Sequence, residues 1–552
     1  MDTPPSPQTK HDTTMKDNRL LLSLLFVLSI EANAQDKAIE MRADRTIIYP
    51  QRMELTGDET LGDILAMYPD LMQEGFEEML SGYNLRIDNV PINGDSRIVC
   101  RQLKAKMISG IQICDNTGVA KGTTGLNRVI DINLTKNNEG THGHTGIEAG
   151  TDHLADHHAV VRHTSQKTDV IALSSYSYQD IDNRISHDQR LYAHMTNQLT
   201  PKDRLLTYIT QQYTNTRVYP SSEKEKTQNE KCLARARYFH KFNDKGTELL
   251  LVGSYQYSTA RNTAVPTYGE SITGPENNST LYIVELNTPI AKGLSMMAGA
   301  EGDFSYTSQQ TDAAPRPTYM TSNNDLYLQF NYLTGPWRFT LGNRTMFYHY
   351  SMENFKHNNV RYNIEASAIA SLTSRSQAQA AYHRKFINMP FALTSHISQE
   401  QWQSVKQTLQ SNYIDEAKIA YAFTQHNCNA SLAAYYQMLE HADNIMRISA
   451  SAYGKKGLLS VTAGANLYVI EGSEQDFATF HLNPRITLPC QMKLGVQSIF
   501  SAGGMSLTRN EDVYLSSQLT KQFGTHWHAA IEWHDIFSRH YSACMATMQY
   551  AF

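Results

Sequence analysis

The residues best suited to do chemistry in this chain lie together at 141–163 (THGHTGIEAGTDHLADHHAVVRH), which holds His142, His144, His153, His157, His158 and His163. Imidazole is a common ligand for transition metals and haem. No acidic cluster joins these histidines at a tight spacing, and the chain carries 21 His in all. The competing reading is a His-rich hairpin and loop exposed to water. His142, His144, His157 and His158 are the metal candidates, and the expectation is that neither a metal nor any other cofactor is bound. Six Cys are scattered at 100, 114, 232, 428, 490 and 544 with no CxxC, so neither a zinc site nor a dense disulfide framework is indicated. Nucleophile-elbow, P-loop, HExxH and Rossmann glycine motifs are absent, and no enzymatic activity is expected. A net charge of -5 argues against nucleic acid, whose partners carry a basic excess.

The elements that must carry these residues are strands. The chain ends ATMQYAF, with Cys544, Ala546, Met548, Tyr550 and Phe552 on one parity and Thr547 and Gln549 on the other. Period two is a strand with one apolar face. The same alternation recurs from about residue 142 onward. Leu326, Leu328, Phe330 and Tyr332 oppose Tyr327, Gln329 and Asn331; Leu459, Val461, Ala463, Ala465, Leu467 and Val469 oppose Ser460, Thr462, Asn466 and Tyr468. The amphipathic runs are about 10 to 13 residues long, against about 5 or 6 for strands of soluble proteins and about 9 to 11 for a tilted strand crossing a bilayer. A soluble sandwich also alternates, so length decides for a transmembrane barrel with a wet lumen.

Counting yields about 22 such strands between 142 and 552. Connections after even strands are tiny and rich in Gly, Pro, Asn and Asp, as tight turns demand: 200–203, 243–246, 291–293, 334–336 and 454–457. The long connections follow odd strands, at about 216–230, 260–278, 308–323 and 385–409. Short turns on one side and long loops on the other are the rule for outer-membrane barrels. Trp337, Trp527, Trp533 and many of the 31 Tyr fall near predicted strand ends, where an interfacial girdle is expected.

The N-terminus points the same way. A charged stretch at 15–19, an apolar run at 20–30 (LLLSLLFVLSI) and Ala32-Asn33-Ala34 form a secretory signal peptide that is too short for a membrane span; a buried N-terminal helix is the alternative. Residues 1–34 are therefore expected to be leader and signal peptide, with Gln35 opening the exported chain. No other stretch approaches 18 apolar residues, so the expectation is a multi-pass β-barrel in the outer membrane.

Residues 35–140 do not alternate in this way. Leu61, Ile64 and Leu65 lie at helical spacing in ETLGDILAMYP, which stops at Pro69. Residues 86–94 (RIDNVPING) read as strand, turn and strand, Ile111-Gln112-Ile113 as another strand, and Gly118, Gly122 and Gly125 lead into a further strand at 127–134 (NRVIDINL). This order resembles the plug domain of TonB-dependent outer-membrane receptors: a helix ending in Pro, a strand similar to "vliDGvpl", a strand similar to "IEVl", then glycines and "GgvInI". The preceding 43–49 (ADRTIIY) resembles the segment that opens the plug in receptors of the Bacteroides type. The chain departs from the pattern where Asp-Gly is Asp88-Asn89, where the glycine pair is Gly125-Leu126, and in carrying no evident TonB box between Gln35 and Asp58.

The resemblance implies a mostly β fold, a 22-stranded transmembrane antiparallel β-barrel (141–552) with an N-terminal α+β plug domain (35–140) in its lumen. It implies an outer-membrane receptor and transporter that binds a small-molecule or oligomeric nutrient at the cell surface and imports it with TonB-type energy coupling. Its partners would be outer-membrane lipid, a TonB-type transducer and, possible in this class, a surface lipoprotein. Plug arginines of the family often pair with carboxylates of the barrel wall. Arg86 and Arg128 are the candidates for such a plug lock, with Glu148, Glu248, Glu285 and Glu301 as wall partners by parity; solvated arginines in a wet lumen are the alternative. Tyr219, Tyr268 and Tyr319 are ligand-contact candidates in the long outer loops. Cys100 and Cys114 share the plug in an oxidising compartment, either as a disulfide or as single buried thiols. The other functional class is a plugged barrel that transports nothing and acts as an adhesin or docking partner for a surface lipoprotein. No motif names the substrate.

Overall fold

The computed structural model describes residues 38–53, 55, 59–65, 83–88, 90–91, 99–100, 102–114, 128–135, 139–151, 154–181, 184–218, 224–265, 271–310, 318–352, 355–386, 413–425, 428–440, 444–472, 477–488, 492–502, 513–524, 526–534, 536 and 543–551. The expected signal peptide, the Pro69 stop, Gly118, Gly122, Gly125 and Phe552 lie outside them.

The N-terminal part forms a six-stranded sheet of β1 (Ile39–Met41), β2 (Arg45–Ile48), β3 (Tyr83–Ile87), β4 (Val90–Pro91), β5 (Ile108–Cys114) and β6 (Arg128–Leu134), in the order β1-β2-β5-β6-β3-β4. The expected strand–turn–strand around Asn89 is β3 and β4. Its turn puts Asp88 at φ 48, a left-handed conformation that Asp tolerates better than most side chains. Asp88 also fastens the turn to β6, since its amide donates to Ile132 O (2.8 Å) and its carboxylate accepts from the Leu134 amide (3.0 Å). Leu61, Ile64 and Leu65 of the short helix α1 (Leu61–Leu65) are fully buried, as their spacing predicted. Strand β1 carried no signal in the sequence reading.

The remainder closes into a barrel of 22 antiparallel strands, from β7 (Gly140–Gly150) to β28 (Ala543–Ala551). The last strand pairs with β7, with Tyr550 opposite Thr145 and Thr547 opposite Glu148, so no edge remains. Alternation assigns the faces. Leu326 and Leu328 are 56% and 41% exposed, while Tyr327 between them and Asp325 and Gln329 beside them are buried. In a closed antiparallel barrel this apolar outer face is what meets lipid. At the end where β7 begins, Trp337, Phe339, Phe523, Trp527 and Tyr550 are exposed and form the expected girdle, with Trp337 and Phe339 stacked at 5.9 Å. The turns at this end are tight, as at 292–293, 335–336 and 457–458. Gly293 is required in the first: its φ is 76, and a Cβ there would sit 2.2 Å from Leu333 O.

The strands are not uniform. They run from 8 residues in β27 (Trp527–His534) to 21 in β14 (Ser271–Ala291), against the 10 to 13 expected. The connections expected at 216–230, 260–278 and 308–323 contract to 219–223, 266–270 and 311–317. The reason is physical. Beyond the bilayer the wall stands in water and needs no apolar face, so the amphipathic signal ends at polar runs such as 224–231 (KEKTQNEK) while backbone pairing continues, with Lys224 opposite Val265.

The sheet of β1–β6 lies inside the barrel. Its core residues Ile48, Leu61, Ile64, Leu85, Ile87, Ile111 and Ile132 form one continuous cluster with Val160, Ile171, Leu173, Tyr192, Tyr208 and Leu233 of the inner wall. Burying each such side chain is worth about 1.5–3 kcal/mol, so plug and wall share a core.

Candidate functional site

The site is the seam between the plug and the inner wall, and Arg86 of β3 is its centre on the plug side. Its side chain is buried. Asp131 lies opposite it on the parallel neighbour β6. Burial lowers the guanidinium's pKa, and the charges of Asp131 on the plug and of Glu285 and Glu301 on the wall act against that shift. Glu285 and Glu301 are two of the four wall carboxylates expected by parity. Glu248 instead pairs with Lys241 (3.4 Å), and Glu148 lies on β7 opposite Asp156.

The wall side of the seam is a ladder set by strand register. Across β14, β15 (Leu294–Gln310), β16 (Thr318–Thr334) and β17 (Trp337–Met352), the residues Glu285, Gly299, Tyr327 and Arg344 are successive partners, and Glu301 faces Asp325 in the next row. All point inward. Tyr327 lies flat across Gly299, where a Cβ would stand 2.4 Å from its ring, and so reaches Glu285 with its hydroxyl at 2.8 Å. Arg344 is completely buried and donates to Glu301 Oε2 (2.5 Å) and to Asp325 Oδ2 (2.7 Å). Its guanidinium sits 5.2 Å from the Tyr327 ring centroid. The sequence reading missed Asp325, Tyr327 and Arg344. The available signal was a charged residue on the lumen parity in mid-strand, which in a barrel interior demands a partner.

A second set of contacts ties the plug down nearer the girdle end. Thr60 and Asp63 form a reciprocal cap at the start of α1: the Thr60 amide and hydroxyl both donate to Asp63 Oδ2 (2.7 and 2.8 Å), and the Asp63 amide donates to Thr60 Oγ1 (3.1 Å). The other Asp63 oxygen accepts from Gln518 of the wall (3.0 Å), whose amide also donates to Glu532 (2.6 Å). Burial and the Glu532 charge raise the Asp63 pKa. Lys493 Nζ lies 3.3 Å from Glu59, both buried. Asp44 accepts from Arg45 beside it and from Arg338 of β17. Burial pushes the Asp44 pKa up, and the two arginines outweigh it, so the net shift is downward. Finally, Thr424 and Asn429 donate to the carbonyls of Met41 and Ile39 (2.7 Å each). Strand β1 pairs with β2 alone, and these wall side chains satisfy backbone acceptors on its other side.

Comparison with known proteins places this arrangement. No protein-family model and no curated protein sequence matches the chain. Solved structures do. The ferripyoverdine receptor of the Pseudomonas aeruginosa outer membrane, bound to ferripyoverdine, superposes with a TM-score of 0.70 at 12% identity, over 97% of this chain and 94% of that one. The alcaligin outer-membrane receptor FauA of Bordetella pertussis gives 0.67 at 13% identity over 93% and 95%. The ferric-catecholate import receptor Fiu of Escherichia coli K12 gives 0.67 at 10% identity over 93% and 97%. This chain has the fold of a plugged outer-membrane receptor.

In that receptor fold the remaining sequence candidates fall as follows. Arg128 opens β6, and only its backbone is described; Tyr219 and Tyr268 lie outside the described residues. Tyr319 was expected in a loop but is in β16, with its ring 6.0 Å from that of Tyr350; the loop placement failed because the strand outruns the lipid. The histidines do not converge. His144 and His158 point inward with rings 6.0 Å apart, His142 is exposed near the strand's start, and His157, next to His158, points the other way to contact Thr145 (3.3 Å). Period two alone keeps 157 and 158 out of one coordination sphere. No group of three or more potential metal ligands occurs among the described residues. Cys100 is buried in the plug core and Cys114 ends β5.

Proposed function

We propose that this chain binds a scarce nutrient at the cell surface and imports it through the barrel, with the plug displaced by a TonB-type transducer acting on the N-terminal segment. The observation that carries the reading is how the plug is held. It lies inside a closed barrel, yet among the described residues it is fastened to the wall by side-chain hydrogen bonds, ion pairs and apolar packing, with no strand pairing between the two sheets. Such contacts break and re-form without unfolding the barrel. In this reading Arg86, with Glu285 and Glu301, forms a lock that holds until the plug is pulled, and Arg128 is a second candidate. The neighbours are named as receptors for ferripyoverdine, alcaligin and ferric catecholate, which supports a small-molecule cargo. Tyr319, with Tyr350 beside it, Tyr219 and Tyr268 are the proposed ligand contacts. The test is nutrient uptake by cells expressing the chain, before and after the proton gradient is collapsed. Uptake should stop, and uptake that continues unchanged would overturn the energised mechanism.

A further inference from the structure

One amide of the wall stands between an acid of the wall and an acid of the plug. Gln518 lies on β26 (Val513–Phe523), directly opposite Glu532 of β27. Its Nε2 donates to Glu532 Oε1 (2.6 Å) and to Asp63 Oδ1 of α1 (3.0 Å). An amide nitrogen carries two hydrogens, so it serves one oxygen of each carboxylate and brings no charge to offset them. Seating the plug therefore adds a second carboxylate where the wall already holds one, and like charges so close favour taking up a proton. Asp63 is fixed there, because its other oxygen is held by the Thr60 amide and hydroxyl. The surrounding charges are few. Lys104 of the plug, which bridges to Thr60, acts on Asp63 in the opposite sense to Glu532. Lys493 of the wall pairs with Glu59 of the plug (3.3 Å). Along the wall, Gln518 is followed by Gly495 and then Arg485, while Met545 of β28 faces Glu532.

We propose that Asp63, Gln518 and Glu532 form a proton-sensitive catch for the plug: with both carboxylates ionised their repulsion works against seating, and one proton taken up by the pair tightens the hold. The two acids titrate as a unit through the shared amide. The shift of Asp63 has the required sign, since burial and the Glu532 charge raise its pKa above 3.8 in the seated plug. The hold is therefore weakest above that raised value and strengthens as the pH falls through it. No further gain comes below 3.8, where the carboxyl of a released plug is protonated as well. Asp44 titrates below that window and with the opposite sign. At neutral pH the catch limits what it takes to draw the plug out, and in acid it keeps the lumen shut. The proposal rests on the reading that the plug moves during import.

The assay is plug release from the full chain in planar lipid bilayers, read as the rate at which conductance opens at fixed urea, with no nutrient or transducer present. The informative variant is Glu532→Gln, which keeps an oxygen for Gln518 and removes the wall charge. At about pH 7 it should release the plug about tenfold more slowly than the parent, and the ratio should shrink below about twofold by about pH 4. Comparing variant with parent at each pH cancels the titration of groups common to both. A glutamate that merely accepts a hydrogen bond predicts unchanged or faster release, or one ratio at every pH, and either result would overturn the proposal. Gln518→Met removes the amide and leaves the two acids without it. Release at about pH 7 should accelerate, and by a smaller factor in the Glu532→Gln background than in the parent. Equal factors in both backgrounds would show that the amide does not couple the acids and would also overturn it. Because the measurement needs no uptake, its failure is separable from failure of the import reading, which shows only in cells.

Discussion

Adding one methyl group at Gly299 should break the inner-wall contact between Tyr327 and Glu285. In β15 the ideal Cβ of residue 299 would lie 2.4 Å from Tyr327 Cζ, 2.5 Å from its hydroxyl oxygen and 2.7 Å from Val284 O. Real Cβ atoms do not tolerate such distances, so the phenol must tilt into the lumen and give up its 2.8 Å bond to Glu285. Overpacking of this kind costs about 1–3 kcal/mol, and a hydrogen bond to a charged acceptor is worth about 1.5–3 kcal/mol. Gly299→Ala should therefore destabilise the folded chain by about 2.5–6 kcal/mol. Denaturant unfolding in detergent measures it. Tyr327→Phe keeps the ring and loses only the bond, so it should account for about 1.5–3 kcal/mol. The decisive arm is a cycle with Tyr327→Ser. With the ring gone, Gly299→Ala has only the Val284 carbonyl to displace, and its penalty should fall below half. If the two substitutions instead add within about 0.5 kcal/mol, the ring does not depend on the glycine and the reasoning is wrong.

Two further outcomes follow from the plug's other attachments. Asn429→Ala removes the donor to Ile39 O at a fully buried position; a loss of about 1–3 kcal/mol of local stability is expected, seen as faster amide exchange in β1 and β2 with the barrel amides unchanged. Equal acceleration throughout the chain would count against a local role. Asp44 has its pKa depressed below the ordinary 3.8 by Arg45 and Arg338, so its contribution is complete above that value and is lost as the pH falls through the lower folded value. Plug retention in the bilayer assay should weaken below pH 3.8, and Asp44→Asn should flatten that dependence; a variant with an unchanged acid profile would refute it.

Much of the architecture is legible in the chain because a barrel wall is a local code. The alternation at 326–332 assigns faces without knowing any neighbour, and the dipeptide-scale turn chemistry at Lys292-Gly293 or Gly335-Pro336 marks where the chain reverses. Leu61, Ile64 and Leu65 announce the plug helix by spacing alone, and Glu285 and Glu301 were reachable by parity. Strand ends were not, because above the lipid nothing in the residue types distinguishes a paired polar strand from a loop. That is why Tyr319 was placed outside a strand and why the connections were drawn too long. Strand β1 was invisible because three residues carry too little periodicity, and its partners Thr424 and Asn429 lie far along the chain.

The sequence by itself determined that this is an outer-membrane barrel with a smaller mixed domain before it, since lipid imposes a period of two on every strand and tight turns impose Gly, Pro, Asn and Asp on one rim. It also placed Arg86 among the candidates. Only the tertiary structure decided which side chains of the wall come together. The row Glu285, Gly299, Tyr327 and Arg344 is drawn from four strands, and its members become neighbours only once the register of three strand pairings is set. A register slip of one residue would turn each of them to the lipid. The contacts that hold the plug against the wall therefore depend on long-range pairing, which no local pattern of residues encodes.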